Sequence, residues 1–322
     1  MLTFESAGLC CLQDLGRPGL QHLGISESGA MDSFAARVAN ALLANDGHAP
    51  VLEITLAGTK LHIVEAQWFA VTGADLSAEL NGSRIPLCQP FFVPENSVLH
   101  FKRCQTGCRA YLAVQGGFAS NNMLSSAATD LRSGLGGFHG RWFQKNDQLA
   151  YQQPTQTKIE NVHWHTRFAH PDFLRDEPLY FIAGNHWPQL SDKQQAHFQQ
   201  QAWRVSAQSD RMGIRLAYAL TGEHVTQSQL SSAVAFGSIQ LPPDNCPIIL
   251  TADRQSTGGY PLIGTVASVS HVHLAQCKPG DTLNFMTITL EHAQTLLAQR
   301  ELEFKRWQQH LRSWWQHANA SN

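Results

Sequence analysis

Apolar residues along this chain recur mostly in short alternating or continuous runs. VLEITLAGTKLHIV (51–64), WFAVTG (68–73), VLHFK (98–102), RAYLAV (109–114), PIILTA (247–252) and TLNFMTITL (282–290) are rich in β-branched and aromatic residues, with Gly, Pro, Asn or Asp between them. Many short strands at close spacing predict a mainly β protein built of barrels or sandwiches. A helical period is confined to three places. In MDSFAARVANALLAND, Asp32 or Ser33 can cap, and Phe34, Val38 and Leu42 share one face. In SDKQQAHFQQQ, Ser191 and Gln194 have capping-box spacing. The third helix covers about 291–317, with Leu297, Phe304, Trp307, Leu311 and Trp314 as an apolar stripe that packs on the body or on a partner.

A faint repeat suggests two similar halves. VPENSVLHF (93–101) and KPGDTLNF (278–285) share a turn followed by an alternating strand, and KNDQLAY (145–151) is a third, shorter copy. The stretch 152–178 is polar and prolyl, with poor periodicity. The expected organisation is an N-terminal β-barrel-like half over 1–151, a connection over 152–178, a C-terminal β-barrel-like half over 179–290 and a helical tail over 291–322, with the halves free to interleave.

Composition removes several classes of function. Lys and Arg total 23 against 25 Asp and Glu, a net charge of −2, which lacks the basic excess of a nucleic-acid-binding surface. The 43% hydrophobic content is too high for disorder. The start, MLTFESAGLC, has no basic segment followed by an apolar stretch, and no run approaches the ~18 apolar residues of a membrane helix. The expected location is the cytoplasm. Seven scattered cysteines without a CxxC pair fit reduced, buried or half-buried thiols. His163/His165 and His271/His273 are spaced two apart, which on a strand puts both rings on one face; solvent-facing strand histidines are expected, and no metal site.

Three stretches hold more Gly, Asp and Arg than packing requires: QDLGRPGLQHLGISESGAMD (13–32), TGAD (72–75), and QSDRMG (208–213) with TADRQSTGGYP (251–261). Glycines let backbone amides approach a ligand closely, and the planar fork of Arg matches a carboxylate or phosphate with two hydrogen bonds. Arg17, Arg211 and Arg254 are therefore candidate anion holders, and Asp14, Asp75, Asp210 and Asp253 are candidate bases or orienting groups. The same Asp–Arg pairs can also do no more than stitch turns. There is no GxxxxGK[ST], and GLGGFHG (134–140) departs from GxGxxG at His139, leaving either a plain glycine turn or an anion-binding nest. No GxSxG is present, and none of the seven lysines is flanked by methionine, so the chain carries no biotin itself.

Taken together, QDLGRPGLQHLG, SGAMD, LEITLAG, TGADLSAELNG, RAYLAVQGGF, TDLRSGLGGFHGR, QSDRMGIRL and GSIQLPPDNCPIILTADRQSTGGYP closely resemble the family of 5-oxoprolinase C subunits. That family is also labelled KipA-like or allophanate hydrolase subunit 2-like, and is similar to half of the carboxyltransferase domain of biotin-dependent urea carboxylase. The resemblance covers about residues 3–290. It implies tandem cyclophilin-like β-barrels. It also implies two partners, a KipI-like B subunit, which is the direct one, with a LamB/YcsF-like A subunit. The implied reaction of the complex is the opening of 5-oxo-L-proline to L-glutamate coupled to ATP hydrolysis. On this resemblance Arg211 and Arg254 hold anions, Asp210 and Asp253 orient them or act as bases, and Gln255, Thr257, Gly258, Gly259 and Tyr260 form the pocket wall. Asp14, Arg17, Asp32 and Asp75 make a second tier.

The chain departs from the family at Asn185-His186, where relatives commonly read Pro-Gln, and in a longer tail. Two other functions fit the same resemblance: carboxyl transfer to urea or a related amide, which needs a biotinylated protein, and KipA-like antagonism of a KipI-like kinase inhibitor. No complete nucleotide site is visible, so ATP is expected to bind at the level of the complex.

Overall fold

The computed structural model describes residues 1–152, 165–169, 177–222 and 230–320, and for 317–320 the backbone alone. It divides into one unit of Met1–Arg17, Ser28–Arg175 and Leu302–Asn322 and a second of Pro18–Glu27 and Asp176–Glu301. Much of the expected connection, including His163, lies outside the described residues; His165 is exposed.

The first unit contains β1 (Leu2–Ser6), β2 (Leu9–Gln13), α1 (Ser33–Leu42), β3 (Val51–Thr55), β4 (Lys60–Ile63), β5 (Gln67–Asp75), β6 (Ala78–Leu80), β7 (Ser83–Arg84), β8 (Pro90–Val93), β9 (Ser97–Phe101), β10 (Thr106–Val114) and β11 (Gln148–Leu149). They form two sheets, ordered β11-β1-β4-β9-β6-β7 and β2-β3-β10-β5-β8. Period-2 patterning sets the register of the first. Leu61 and Ile63 of β4 and Leu99 and Phe101 of β9 point inward, Leu61 opposite Leu99, while Lys60, His62 and His100 face outward. Both sheets bury one core, with Phe4, Leu61 and Phe101 from the first and Leu12, Phe69 and Leu112 from the second. Burying each such side chain contributes about 1.5–3 kcal/mol. β5 and β10 are buried along nearly their whole length because the second sheet is covered on its other face by α1. There Thr72 Oγ1 donates to the Ala35 carbonyl at 2.7 Å. Asp32 caps α1, its Oδ1 accepting from Ala35 N at 2.8 Å.

The second unit contains β12 (Leu179–Ala183), α2 (Asp192–Gln200), β13 (Trp203–Arg204), β14 (Gly213–Arg215), β15 (Ser232–Ala233), β16 (Ser238–Gln240), β17 (Ile248–Leu250), β18 (Thr257–Gly258), β19 (Leu262–Val266), α3 (His271–Gln276), β20 (Thr282–Leu283) and β21 (Phe285–Thr287). Its main sheet runs β14-β17-β16-β19-β12-β21. Phe181, Phe198, Trp203 and Phe285 anchor the core, with Phe198 and Phe285 rings 4.8 Å apart. The Ser191–Gln194 capping box forms at α2 as its spacing predicts. The three repeated turns place left-handed residues shortly before strands, at Asn96, Asn146 and Gly280.

α4 (Leu290–Ala320) extends slightly beyond its expected range. In the first unit its stripe packs inward on α1: Phe304 meets Phe34 at 5.3 Å and Trp315 Nε1 donates to the Leu42 carbonyl at 3.0 Å. The tail thus lies on the body, with Trp315 buried and Trp314 only half-buried. The mainly β expectation with few helices holds. The His271/His273 expectation does not. Both residues lie on α3 and are half-buried, because Leu274 and Ala275, three and four residues beyond His271, are the positions that enter the core. No helix among the described residues is long and apolar enough to cross a membrane.

Candidate functional site

In the second unit, antiparallel pairing of β14 with β17 sets Gly213 opposite Leu250 and brings the QSDRMG and TADRQ segments side by side. The ladder continues past the strands, with Thr251 N donating to the Met212 carbonyl at 3.0 Å and Asp253 N to the Arg211 carbonyl at 2.8 Å. This register presents two buried side chains to each other. Arg211 donates from Nε to Asp253 Oδ2 at 2.8 Å and from Nη2 to Oδ1 at 3.1 Å. Thr251 Oγ1 also donates to the Arg211 carbonyl at 2.8 Å.

Next to this pair, Arg254 donates from Nη2 to Glu27 Oε2 at 2.7 Å and from Nη1 to the Thr251 carbonyl at 3.3 Å, while its buried Nε makes no hydrogen bond among the described residues. Asp210 is exposed, and its Oδ1 accepts from Met212 N at 2.8 Å and Gly213 N at 3.1 Å, closing the turn before β14. Gln255, Thr257 and Tyr260 are exposed, Gly259 is half-buried and Gly258 is buried in β18, where a Cβ would press on the Gln240 amide. The four residues expected to carry the chemistry and the five expected to form the wall all lie in the second unit. Chemically these residues offer two guanidinium groups, each held by a carboxylate, followed along the chain by the small and hydroxyl-bearing residues of 256–260.

The second-tier residues all fall in the first unit. Asp14 is buried, accepting from Gly16 N at 2.7 Å and Ser126 Oγ at 2.7 Å on Oδ1, and from Ala127 N at 2.6 Å on Oδ2. Arg17, only 2% exposed, donates from Nη2 to the Ala128 carbonyl. Asp14 and Arg17 therefore converge on the single segment Ser126–Ala128. Asp32 is the α1 cap. Asp75, at the end of β5, pairs with Arg84 at 2.5 Å and accepts from Ser77 N at 2.9 Å.

Residues 23–287 match the family described as carboxyltransferase domain, subdomain A and B. The chain belongs to that family. Over 291 residues it is 36% identical to the 5-oxoprolinase C subunit of Haemophilus influenzae, covering 90% of this chain and 92% of the relative. It is 34% identical over 294 residues to the 5-oxoprolinase C subunit of Escherichia coli K12, covering 91% and 93%. Among solved structures, the Kluyveromyces lactis urea amidolyase superposes with a TM-score of 0.80 at 27% identity over 91% of this chain, which spans 19% of that enzyme's chain.

Within this carboxyltransferase-family chain, sequence reasoning missed Glu27 as the partner of Arg254. It also missed the network in which Tyr111 OH donates to Glu53 Oε2 at 2.9 Å and accepts from Asp32 N at 2.8 Å. Burial and the Glu53 charge push the Tyr111 phenol well above its usual range. Glu53 sits on a strand whose pattern reads as core, and only its cross-strand setting, with Tyr111 directly opposite on β10, marks it out.

Proposed function

We propose that this chain is the C subunit of an ATP-dependent 5-oxoprolinase, a complex that opens 5-oxo-L-proline to L-glutamate. The observation that carries the reading is its match over 90–91% of this chain, at 34–36% identity, with two bacterial proteins of that name. A lactam is a resonance-stabilised amide that water attacks slowly; phosphorylating its oxygen makes it a better electrophile, which is the reason to couple the opening to ATP. Arg254 and Arg211 are the anion holders of this reading, for the substrate carboxylate or the phosphoryl group. Arg254 keeps a buried Nε with no hydrogen-bond partner among the described residues, and Asp253 keeps the Arg211 fork oriented. Asp210 borders them, and Gln255, Thr257, Gly258, Gly259 and Tyr260 form the wall. A KipI-like B subunit, together with a LamB/YcsF-like A subunit, completes the enzyme, with ATP bound by the assembly.

The test is glutamate release from 5-oxoproline and ATP by the three purified subunits with and without this chain. Release that depends on the chain supports the assignment, and release that ignores it rejects it. Similarity to urea amidolyase favours one second reading, carboxyl transfer to urea or a related amide, which a biotinylated partner and bicarbonate would reveal.

A further inference from the structure

Arg211 and Arg254 each have a carboxylate at hydrogen-bond distance. Arg17 differs: among the described residues it has no carboxylate within ion-pair distance, and its buried Nε and Nη1 make no hydrogen bond. A guanidinium does not lose its proton, so the fold maintains a cation there. The carboxylates of the neighbouring segments are committed elsewhere. Asp14 accepts from Gly16, Ser126 and Ala127, and Asp130 accepts from Arg132 N, Ser133 N and Ser133 Oγ.

Directly over Arg17 lies the glycine loop 134–140. A Cβ on Gly136 would come within 2.7 Å of Arg17 Nη2 and would collide with the Ala128 carbonyl, so only glycine lets the loop lie this close to the cation. Gly134, Gly136, Gly137, His139 and Gly140 all take left-handed backbone, with φ of 66°, 67°, 52°, 57° and 67°. The N–H groups of Gly136, Gly137, Phe138 and His139 donate to no acceptor among the described residues. Gly134, Gly136, Gly137, Phe138, His139 and Gly140 also line a cavity of about 620 Å³ in the first unit, together with Ser120 and Asn122 and with no acidic side chain among the described residues.

We infer that this cavity binds a small oxyanion, a carboxylate or a phosphoryl group, with the loop amides as its donors and Arg17 beneath them as the source of positive potential. Its residues belong to the first unit, whereas those assigned above to the lactam chemistry belong to the second. It is tested on the isolated full chain, so its failure is read separately from failure of the oxoprolinase assignment.

The experiment titrates inorganic phosphate and, separately, 5-oxoproline into the chain at ionic strength matched with chloride, following the melting temperature and the amide resonances of Gly136 and Gly137. The expected result is a rise in melting temperature with at least one of the two over chloride, saturating movement of those two resonances, and at least a tenfold weaker dissociation constant in Arg17→Gln. Response to phosphate alone identifies the phosphoryl source, and response to 5-oxoproline alone the carboxylate. Should Arg17→Gln not fold, the wild-type resonances still decide. Equal behaviour in chloride and in both anions, perturbation confined to other residues, or unchanged affinity in a folded Arg17→Gln overturns the site.

Discussion

Arg211 and Asp253 stand 42 residues apart in sequence and face each other with two hydrogen bonds, 2.8 and 3.1 Å, at 7% and 3% side-chain exposure. A pair this buried gains little over apolar packing, but losing one partner strands the other charge away from water. Asp253→Asn is therefore expected to destabilise the chain by about 3–5 kcal/mol. Denaturant melts check the magnitude; a loss below 1 kcal/mol would mean that water or another group replaces the carboxylate.

The Tyr111 hydroxyl links a strand to the start of α1, donating to Glu53 and accepting from the amide of Asp32. Tyr111→Phe keeps the ring and removes both bonds, leaving buried polar groups with fewer partners. An expected cost of about 1–3 kcal/mol follows, measured by thermal or chemical unfolding. A neutral substitution would show that the network is dispensable.

Two glycines of one loop separate steric from conformational cost. A Cβ at Gly137 would collide with Thr129 Oγ1, whereas at Gly134 it would meet nothing within 4 Å, although both residues have positive φ. Gly134→Ala should cost about 1 kcal/mol from the left-handed backbone alone, and Gly137→Ala clearly more. Equal melting temperatures for the two variants would contradict the packing of the loop on Thr129.

His271 gives the second unit an acid sensitivity. Its ring lies against Phe236, with Nε2 3.1 Å from the Val266 carbonyl, and burial, more than the nearby Arg300 and Arg254 charges, lowers its pKa from 6.5 to about 4. The folded state binds this proton less readily than the unfolded one. The stabilisation is complete above about pH 6.5 and is lost progressively as pH falls toward about 4. His271→Gln should flatten the melting-temperature profile between these values; an unaltered profile would assign the acid loss to other groups.

Strands and caps were readable because their signals are local. Leu61, Ile63, Leu99 and Phe101 alternate with polar residues, so a core-facing edge follows from spacing alone. Asp32 and the Ser191–Gln194 pair act within one helical turn of themselves. The same locality misled at HVH, where two-residue spacing imitates a strand although the burial of Leu274 and Ala275 makes the segment a helix.

The candidate chemistry was legible as residue types, and its wiring was not. Asp–Arg–glycine clusters and the family resemblance point to Arg17, Arg211 and Arg254, but nothing within a few residues of each says which is neutralised. Asp253 meets Arg211 only because β14 pairs with β17 in one register, and Glu27 meets Arg254 across 227 positions. Arg17 is distinguished only once the 126–130 and 134–140 segments close over it. Short-range periodicity specifies which positions are buried. Charge compensation depends on distances between groups far apart in sequence, and these exist only after the strands have paired.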